Sequence, residues 1–264
     1  MVLNSKVARS SKKILVIRPN SGLSGDMLVT GLAQLAGLTK NDLDKLLVQL
    51  NLPHLTGRVR LVTRSHQSIR GYGLDLDLPE EHEHRHLADI TQFFEAADMT
   101  PLARELTLES FRLLAEAEAF VHGQTPQEVH FHEVGAMDSL LDMGLSSILF
   151  DLLNPDLFVC GPLPLCDGVI KAAHGLLPAP APAVAYLLSG VRVTGLNSAG
   201  ETVTPTALSL LKTFGAVFGN WPEMVIETQA LVYGSRFLPD VPNGALFAWG
   251  LSSDGEETLE DKTK

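Results

Sequence analysis

Short runs of apolar residues, separated by polar and glycine-rich turns, predict strands and helices along the whole chain. Residues 14–17 form a continuous apolar run of the length expected for a buried strand. Residues 21–27 are rich in serine and glycine and predict a turn into a helix that ends near Gly37. Residues 40–50 follow Thr39 and have the pattern of a second helix.

Residues 58–78 alternate between apolar and polar positions, which is typical of a β-hairpin. The candidates for its inward-facing positions are Val59, Leu61, Leu74 and Leu76. Two helices are predicted next, at 87–97 and 101–122. The second has Thr100 as its N-cap and Gly123 as its stop signal.

Another helix is predicted after Gly135, with Asp138 or Ser139 as its N-cap. Its buried stripe comprises Leu141, Leu145, Ile148, Leu149 and Leu152. The later predicted elements are a strand at 158–159, an ordered proline-rich loop at 160–182 that lines a site, a helix at 181–188, a strand at 191–194, a helix from 204–205, and strands at 223–233 and 244–250. Strands and helices do not alternate strictly, so we expect an α+β fold with helices packed on a mixed sheet. An irregular α/β fold is the alternative.

Composition identifies an ordinary globular protein: 45% of the 264 residues are hydrophobic and 19% are charged. The net charge of −11 argues against nucleic acid as a partner. We expect a flexible tail at 1–13, a folded region at 14–251 with a possible subdomain boundary near 155–180, and a disordered acidic tail at 252–264.

Cysteine content and the absence of long apolar runs bear on the cellular setting. Cys160 and Cys166 match no common zinc or redox motif, so both thiols are expected to be free in a reducing cytoplasm. No run is long enough for a signal peptide or a membrane span. We therefore expect a cytoplasmic protein without a membrane partner, and an oligomer.

The stretch 130–142 carries the strongest chemical signal in the chain. In an extended segment His130 and His132 point to one side, while Phe131 faces the core. Asp138 and Asp142 are four residues apart and share one helix face. With Glu133 these side chains predict a divalent-metal or proton-transfer site. For each residue alone, helix capping or a surface hydrogen bond is the alternative.

Three further segments are candidates for binding. His82, His84 and His86 alternate with charged residues and could collect nickel, zinc or copper, although a solvated polar loop is nearly as good an explanation. The loop that contains Ser21, Gly22, Ser24, Gly25 and Asp26 offers backbone amides at a helix start, which favour an anion such as a phosphate. His174 lies in the proline-rich loop, where it lines a cofactor pocket or simply a surface turn.

Several of these segments together resemble the LarC family of nickel-insertion proteins. They follow the order of the family over residues 14–250: Ser21 to Met27, Arg85 to Leu87, Leu114 to Ala119, Val121 to Gly123, His130 to Asp142, Pro162 to Pro164, Ala173 to Pro182, Glu201 to Thr206, Tyr233 with Gly234, and Pro242 with Asn243. The agreement in order is far more specific than any single motif.

The resemblance implies insertion of Ni(II) into a pyridinium-3,5-bisthiocarboxylate mononucleotide, with carbon–nickel and sulfur–nickel bonds formed. It implies that CTP is consumed with the help of Mg or Mn. His130, His132, Glu133 and Asp138 would form the catalytic centre. The metal ligands would be His82, His84, His86, His130, His132, Asp138 and Asp142, and the mononucleotide would contact Ser21, Gly22, Ser24, Gly25, Asp26 and His174.

The chain also departs from the family pattern. Arg18, Pro19 and Asn20 stand where the family usually has Asp, Cys and Phe. Full-length members carry a further C-terminal nucleotide-binding domain, so we expect a separate partner to supply it. The alternatives are a noncatalytic metal-binding paralogue or metallochaperone, and a divalent-metal hydrolase acting on another phosphorylated substrate.

Overall fold

The computed structural model describes residues 11–78, 85–131, 135–172 and 175–253. The helices in these ranges are α1 (Gly25–Leu35), α2 (Lys40–Gln49), a 3-10 helix (Pro53–Leu55), α3 (Leu87–Glu95), α4 (Pro101–His122), α5 (Met137–Leu153), α6 (Pro182–Leu187) and α7 (Pro205–Thr213). The strands are β1 (Lys13–Pro19), β2 (Val59–His66), β3 (Ile69–Leu76), β4 (Arg85–His86), β5 (His130–Phe131), β6 (Leu157–Cys160), β7 (Leu163–Asp167), β8 (Val169–Ala172), β9 (Gly175–Pro178), β10 (Val193–Ala199), β11 (Val217–Phe218), β12 (Met224–Val232) and β13 (Ala245–Ser252).

The main sheet is mixed, which confirms the predicted α+β class. Within the described part of the chain its strand order is β11-β6-β1-β13-β12-β3-β2. Strand β1 is parallel to β6 and antiparallel to β13, and β12 is antiparallel to β13 and parallel to β3. The carboxyl ends of β1, β3, β6 and β12 therefore lie at the same edge of the sheet, the kind of edge where open sheets bind ligands.

Strand β1 is buried on both faces, as its continuous apolar run predicts. Leu15 and Ile17 join the large core formed with the helices, whereas Ile14 and Val16 pack on the opposite face with Val159 and Ala248. Because successive side chains point to opposite faces, a strand covered on both sides must be apolar throughout. This central position aims the loop that follows β1 at the ligand-binding edge.

The predicted hairpin, the predicted start of α2 and both predicted ends of α4 are confirmed. In the hairpin Val59 pairs with Leu76 and Leu61 with Leu74, so all four residues lie on one face and contact the core. Helix α2 begins after a capping box at Thr39. Helix α4 starts at Pro101 after Thr100, and Gly123 ends it in the left-handed conformation with a φ of 66°.

Helix α5 differs from its prediction at both ends. Ala136, not Asp138 or Ser139, is the N-cap, and Asp138 lies in the first turn. Helix polarity favours an acidic residue at either position, so the sequence does not distinguish them. The prediction that Leu152 is buried is wrong, since it is 63% exposed; Leu153, four residues after Leu149, continues the core-facing stripe.

The region predicted as a proline-rich ordered loop contains three strands. Strand β7 pairs in parallel with β10, and β8 forms a hairpin with β9. Proline weakened the strand signal, but in these two-stranded sheets it occupies edge positions, where a missing amide is tolerated. Ser252, predicted to begin the disordered tail, is instead the last residue of β13.

The two cysteines are free, as predicted, and both are buried. Burial raises the pKa of the Cys160 thiol to about 12, so the thiol is neutral at physiological pH.

None of the helices in the ranges given above combines the length and apolar character that crossing a membrane requires.

We expect Thr100→Ala to lower the free energy of unfolding by about 1 kcal/mol. The Thr100 hydroxyl accepts a hydrogen bond from the Ala103 amide at 3.1 Å and donates one to Asp151, thereby linking α4 to α5. Denaturant unfolding of the variant tests this. Thr100→Ser, which retains the hydroxyl, should lose less than half as much, and equal losses would contradict the cap.

Candidate functional site

The loop of residues 21–26, here called the serine–glycine loop, is held at the sheet edge by the segment before α7. The Leu23 amide donates to the Thr202 carbonyl at 2.8 Å, and the Thr204 amide donates to the Leu23 carbonyl at 3.1 Å. Gly22 has a φ of 145°, and a Cβ there would lie 2.0 Å from the Thr202 carbonyl oxygen. Glycine is therefore required for these two segments to pair.

Gly25 brings helix α1 against helix α5. A Cβ on Gly25 would lie 2.3 Å from Asp142 Oδ2 and 2.8 Å from Asp142 Cβ. The carboxyl group of Asp142 thus lies directly beside the first residue of α1. Asp26, the next residue of α1, accepts a short hydrogen bond from the Ser24 hydroxyl.

The carboxyl groups at this junction perturb one another. Burial raises the pKa of Asp142 well above its usual range, and the charges of Asp26 and Asp138 raise it further. Burial also raises the pKa of Asp26, although the Ser24 hydrogen bond and the charge of Arg64 oppose the change. Among the described residues, the solvent-inaccessible Asp142 Oδ1 has no hydrogen-bond partner. A proton or a cation would satisfy it.

These carboxyl groups line a cavity of about 510 Å³ at the ligand-binding edge of the sheet, here called the main cavity. Its wall combines the serine–glycine loop, the start of α5, the segment before α7, the end of the β2–β3 hairpin and the turn after β12. The polar side chains that line it are Ser21, Ser24, Asp26, Arg64, Asp75, Asp138, Ser139, Asp142, Glu201, Thr202, Thr204, Thr206, Tyr233, Ser235, Arg236 and Asn243.

A second cavity of about 650 Å³ adjoins the main one. The residues that line both cavities are Asp138, Ser139, Glu201, Thr204, Thr206 and Arg236. The wall of the second cavity is more apolar, with Ile170 and Leu177 from the β8–β9 hairpin, and it also includes Lys171. The two cavities are therefore neighbours, the main cavity with the more polar wall and the second with the more apolar wall.

Two of the predicted histidines pair outside the main cavity. His86 on β4 lies opposite His130 on β5, and their ring centroids are 3.9 Å apart. The Arg85 guanidinium donates to the Gly135 carbonyl at 2.8 Å, tying this ladder to the chain that enters α5. Phe131 is buried in the core, as predicted. His86 and His130 line neither cavity.

The structure therefore brings together one part of the predicted site. The residues it gathers in the main cavity are Ser21, Gly22, Ser24, Gly25, Asp26, Asp138 and Asp142. His82, His84, His132, Glu133 and His174 lie outside the described residues. Within the described ranges, no three His, Cys, Asp or Glu side chains form a ready-made metal site.

The sequence signals at other residues of the cavity are weak. Glu201, Tyr233 and Asn243 had strong explanations as parts of caps and turns, and only their shared order with the family motifs signalled more. Arg64 carried no signal, because it is one of several arginines in the hairpin. Arg18, where the chain departs from the family pattern, does not line the cavity, and its guanidinium donates to the Gly219 carbonyl at 2.8 Å.

The family profile and the most similar relatives found by comparison with known proteins all indicate the same family. The profile of the family described as nickel insertion protein matches residues 15–263. A Desulfitobacterium hafniense protein named pyridinium-3,5-bisthiocarboxylic acid mononucleotide nickel insertion protein is 37% identical over 240 residues, which cover 91% of this chain and 59% of that protein. A Geotalea daltonii relative, provisionally named as a nickel insertion protein, is 36% identical over 88% of this chain and 59% of its own length. The chain thus spans about three-fifths of these relatives. No solved structure matches it.

Proposed function

The chain belongs to the nickel insertion protein family, and from this membership we propose that it takes part in placing Ni(II) into pyridinium-3,5-bisthiocarboxylic acid mononucleotide. The observation that carries the proposal is the convergence of Asp26, Asp138 and Asp142 in one cavity with the serine–glycine loop. In this proposal Ni(II) and the mononucleotide are the substrates, and the two neighbouring cavities hold both.

The carboxyl groups suit a metal that must be passed on. Carboxylates and imidazoles bind Ni(II), whereas soft sulfur ligands compete for it well. A protein site without a complete set of ligands leaves coordination positions open for the thiocarboxylate sulfurs of the mononucleotide. The lack of a ready-made cage among the described residues is compatible with such a transfer.

Formation of the carbon–nickel bond needs a proton acceptor. The ring C–H bond breaks, its electron pair forms the bond to Ni(II), and the proton passes to a base. We assign this role to Asp142, whose buried Oδ1 has no partner in the described part of the chain. Burial raises the pKa of its carboxyl group, and Ni(II) placed beside it would displace the proton and leave the carboxylate able to accept the ring proton. Asp26 and Asp138 then supply negative charge beside the metal.

The histidines belong to an earlier step in this proposal. His86 and His130 form a cross-strand pair that is linked to the start of α5, and His82, His84, His132 and Glu133 are near them in sequence. Neutral imidazoles at this spacing can collect Ni(II) from solution. We further propose that a segment equivalent to the rest of the longer relatives provides CTP binding with Mg or Mn.

The test is metallation of the purified mononucleotide, which is monitored by mass spectrometry as the mass increase that nickel produces. We expect product when the protein, Ni(II), CTP with Mg, and the remaining segment of a longer relative are combined. His86→Ala/His130→Ala should require about tenfold more Ni(II) for the same rate and reach the same maximal rate. His54→Ala, a change at an exposed histidine on the 3-10 helix, is the control. If the wild type yields no product, the proposed function is wrong; if the double variant needs no additional nickel, the collecting role is wrong.

A further inference from the structure

Arg64 on strand β2 is held rigidly at the wall of the main cavity. Its Nη1 donates to the Tyr233 carbonyl at 3.0 Å, and its Nη2 donates to the Leu74 carbonyl at 2.6 Å. The side chain crosses Gly73, where a Cβ would lie 2.5 Å from both Cδ and Nε of Arg64. Two carbonyls and a glycine thus position this guanidinium before any ligand arrives.

The positive charge of Arg64 is not neutralised by a direct ion pair. Within the described ranges, no carboxylate lies within 4.0 Å of it, and the two carbonyls are its only hydrogen-bond acceptors. The neighbouring arginines differ: Arg60 pairs with Asp75 at 2.6 Å, and Arg236 lies 3.9 Å from Glu201 and is 72% exposed. A guanidinium has five N–H donors, so Arg64 retains donors for a ligand.

The main cavity therefore contains a fixed cation as well as the acidic cluster of Asp26, Asp138 and Asp142. An anionic group placed at the amides of the serine–glycine loop would lie beside the carboxyl groups of Asp26 and Asp142, and each of them would repel it when ionised. At Arg64 the same group would meet a preorganised donor fork, the geometry that suits phosphates and carboxylates.

We propose that Arg64 is the anion-binding residue of the main cavity and that it holds the phosphate or the acid group of a pyridinium mononucleotide. This inference rests on the proposed function and adds a residue to it. The cationic ring and the metal then face the acidic cluster, so one cavity matches both charges of a zwitterionic ligand. The anion contact orients the ring for the reaction.

Calorimetry tests the assignment of Arg64 by measuring the affinity of wild type and Arg64→Gln for three probes. The first probe is nicotinic acid mononucleotide, which has both a phosphate and an acid group. The second is nicotinic acid riboside, which lacks the phosphate, and the third is nicotinamide mononucleotide, which lacks the acid group. Arg64→Gln should bind the first probe about tenfold or more weakly, as expected for loss of a charged hydrogen-bonding partner. The loss should disappear for the one probe that lacks the contacted group, which identifies that group.

Two further variants separate recognition from folding. Arg70→Gln, on the neighbouring strand and outside both cavities, should bind like the wild type. Arg64→Lys keeps the charge without the fork and should fall between wild type and Arg64→Gln. The inference is overturned by an Arg64→Gln variant that binds all probes normally, or that loses equal affinity for all three. If the wild type binds none of the probes, the inference is overturned, whereas the proposed function is decided separately by the metallation assay.

Discussion

Asp142→Asn is expected to stabilise the protein at pH 7 and to reduce nickel insertion by about 100-fold or more, the typical contribution of a positioned base. The gain in stability follows from the raised pKa of the buried Asp142 carboxyl group. Below about pH 4 the carboxyl group is protonated in both the folded and the unfolded chain. At higher pH the unfolded chain releases the proton while the folded protein retains it, so the wild type loses stability until the pH passes the folded-state pKa.

Asparagine removes this penalty because it is neutral at every pH and has nearly the same shape. We therefore expect Asp142→Asn to be more stable than the wild type at pH 7 and equally stable below about pH 4. Denaturant unfolding across this pH range measures the difference. Asp98→Asn, a change at an exposed aspartate outside both cavities, should show no comparable trend.

Proton release on nickel binding is a second test of the role of Asp142. A cation beside Asp142 favours its ionised form, so Ni(II) should displace a proton from the wild type at a pH below the folded-state pKa of this carboxyl group. Calorimetry in buffers with different ionisation enthalpies counts that proton, and Asp142→Asn should release fewer. Unchanged proton release together with unchanged metallation would exclude Asp142 as the proton acceptor.

Gly25→Ala is expected to lower the free energy of unfolding by about 1–3 kcal/mol, the usual cost of overpacking, and to disrupt metallation. The added methyl group would lie 2.3 Å from Asp142 Oδ2 and 2.8 Å from Asp142 Cβ. A different side-chain rotamer moves the oxygen but not the Cβ, which the backbone of α5 holds in place. Helices α1 and α5 must therefore separate, and the carboxyl groups of the cavity move with them.

Urea unfolding and the metallation assay together test the glycine prediction. Gly195→Ala is the matched control, because a Cβ at Gly195 meets no atom within 4 Å. It should leave metallation unchanged. A Gly25→Ala protein with full stability and full activity would show that the close approach of α1 and α5 is dispensable.

Most secondary structure was predictable because its signals lie within a few residues. Thr39 and Thr100 begin their helices and Gly123 ends one, since capping depends on neighbouring backbone groups. The inward-facing positions of the hairpin, among them Leu61 and Leu74, follow from a two-residue alternation. The sequence does not predict strands β7, β8 and β9, because their pairing partners, not their own composition, make them strands.

The candidate site was predictable only in part. Its aspartates and glycines could be identified from their types and spacing, and the order of the motifs indicated the family. The expected meeting of His130 with Asp138 in one cavity is not what the described residues show, because β5 directs His130 toward His86 on β4. Short peptide segments predict which side of a strand a residue takes, but not which distant strand pairs with it.

The sequence by itself determined the strands and helices with strong periodicity, their caps, the acidic character of the chain and the family motifs. Tertiary structure alone decided that Gly25 lies against Asp142, that Arg64 lines the same cavity, and that the described histidines lie outside it. The physical reason is the distance along the chain over which each interaction acts. Periodicity and capping act between neighbours in the chain, whereas burial of a carboxyl group and its distance from a guanidinium depend on how separate elements pack.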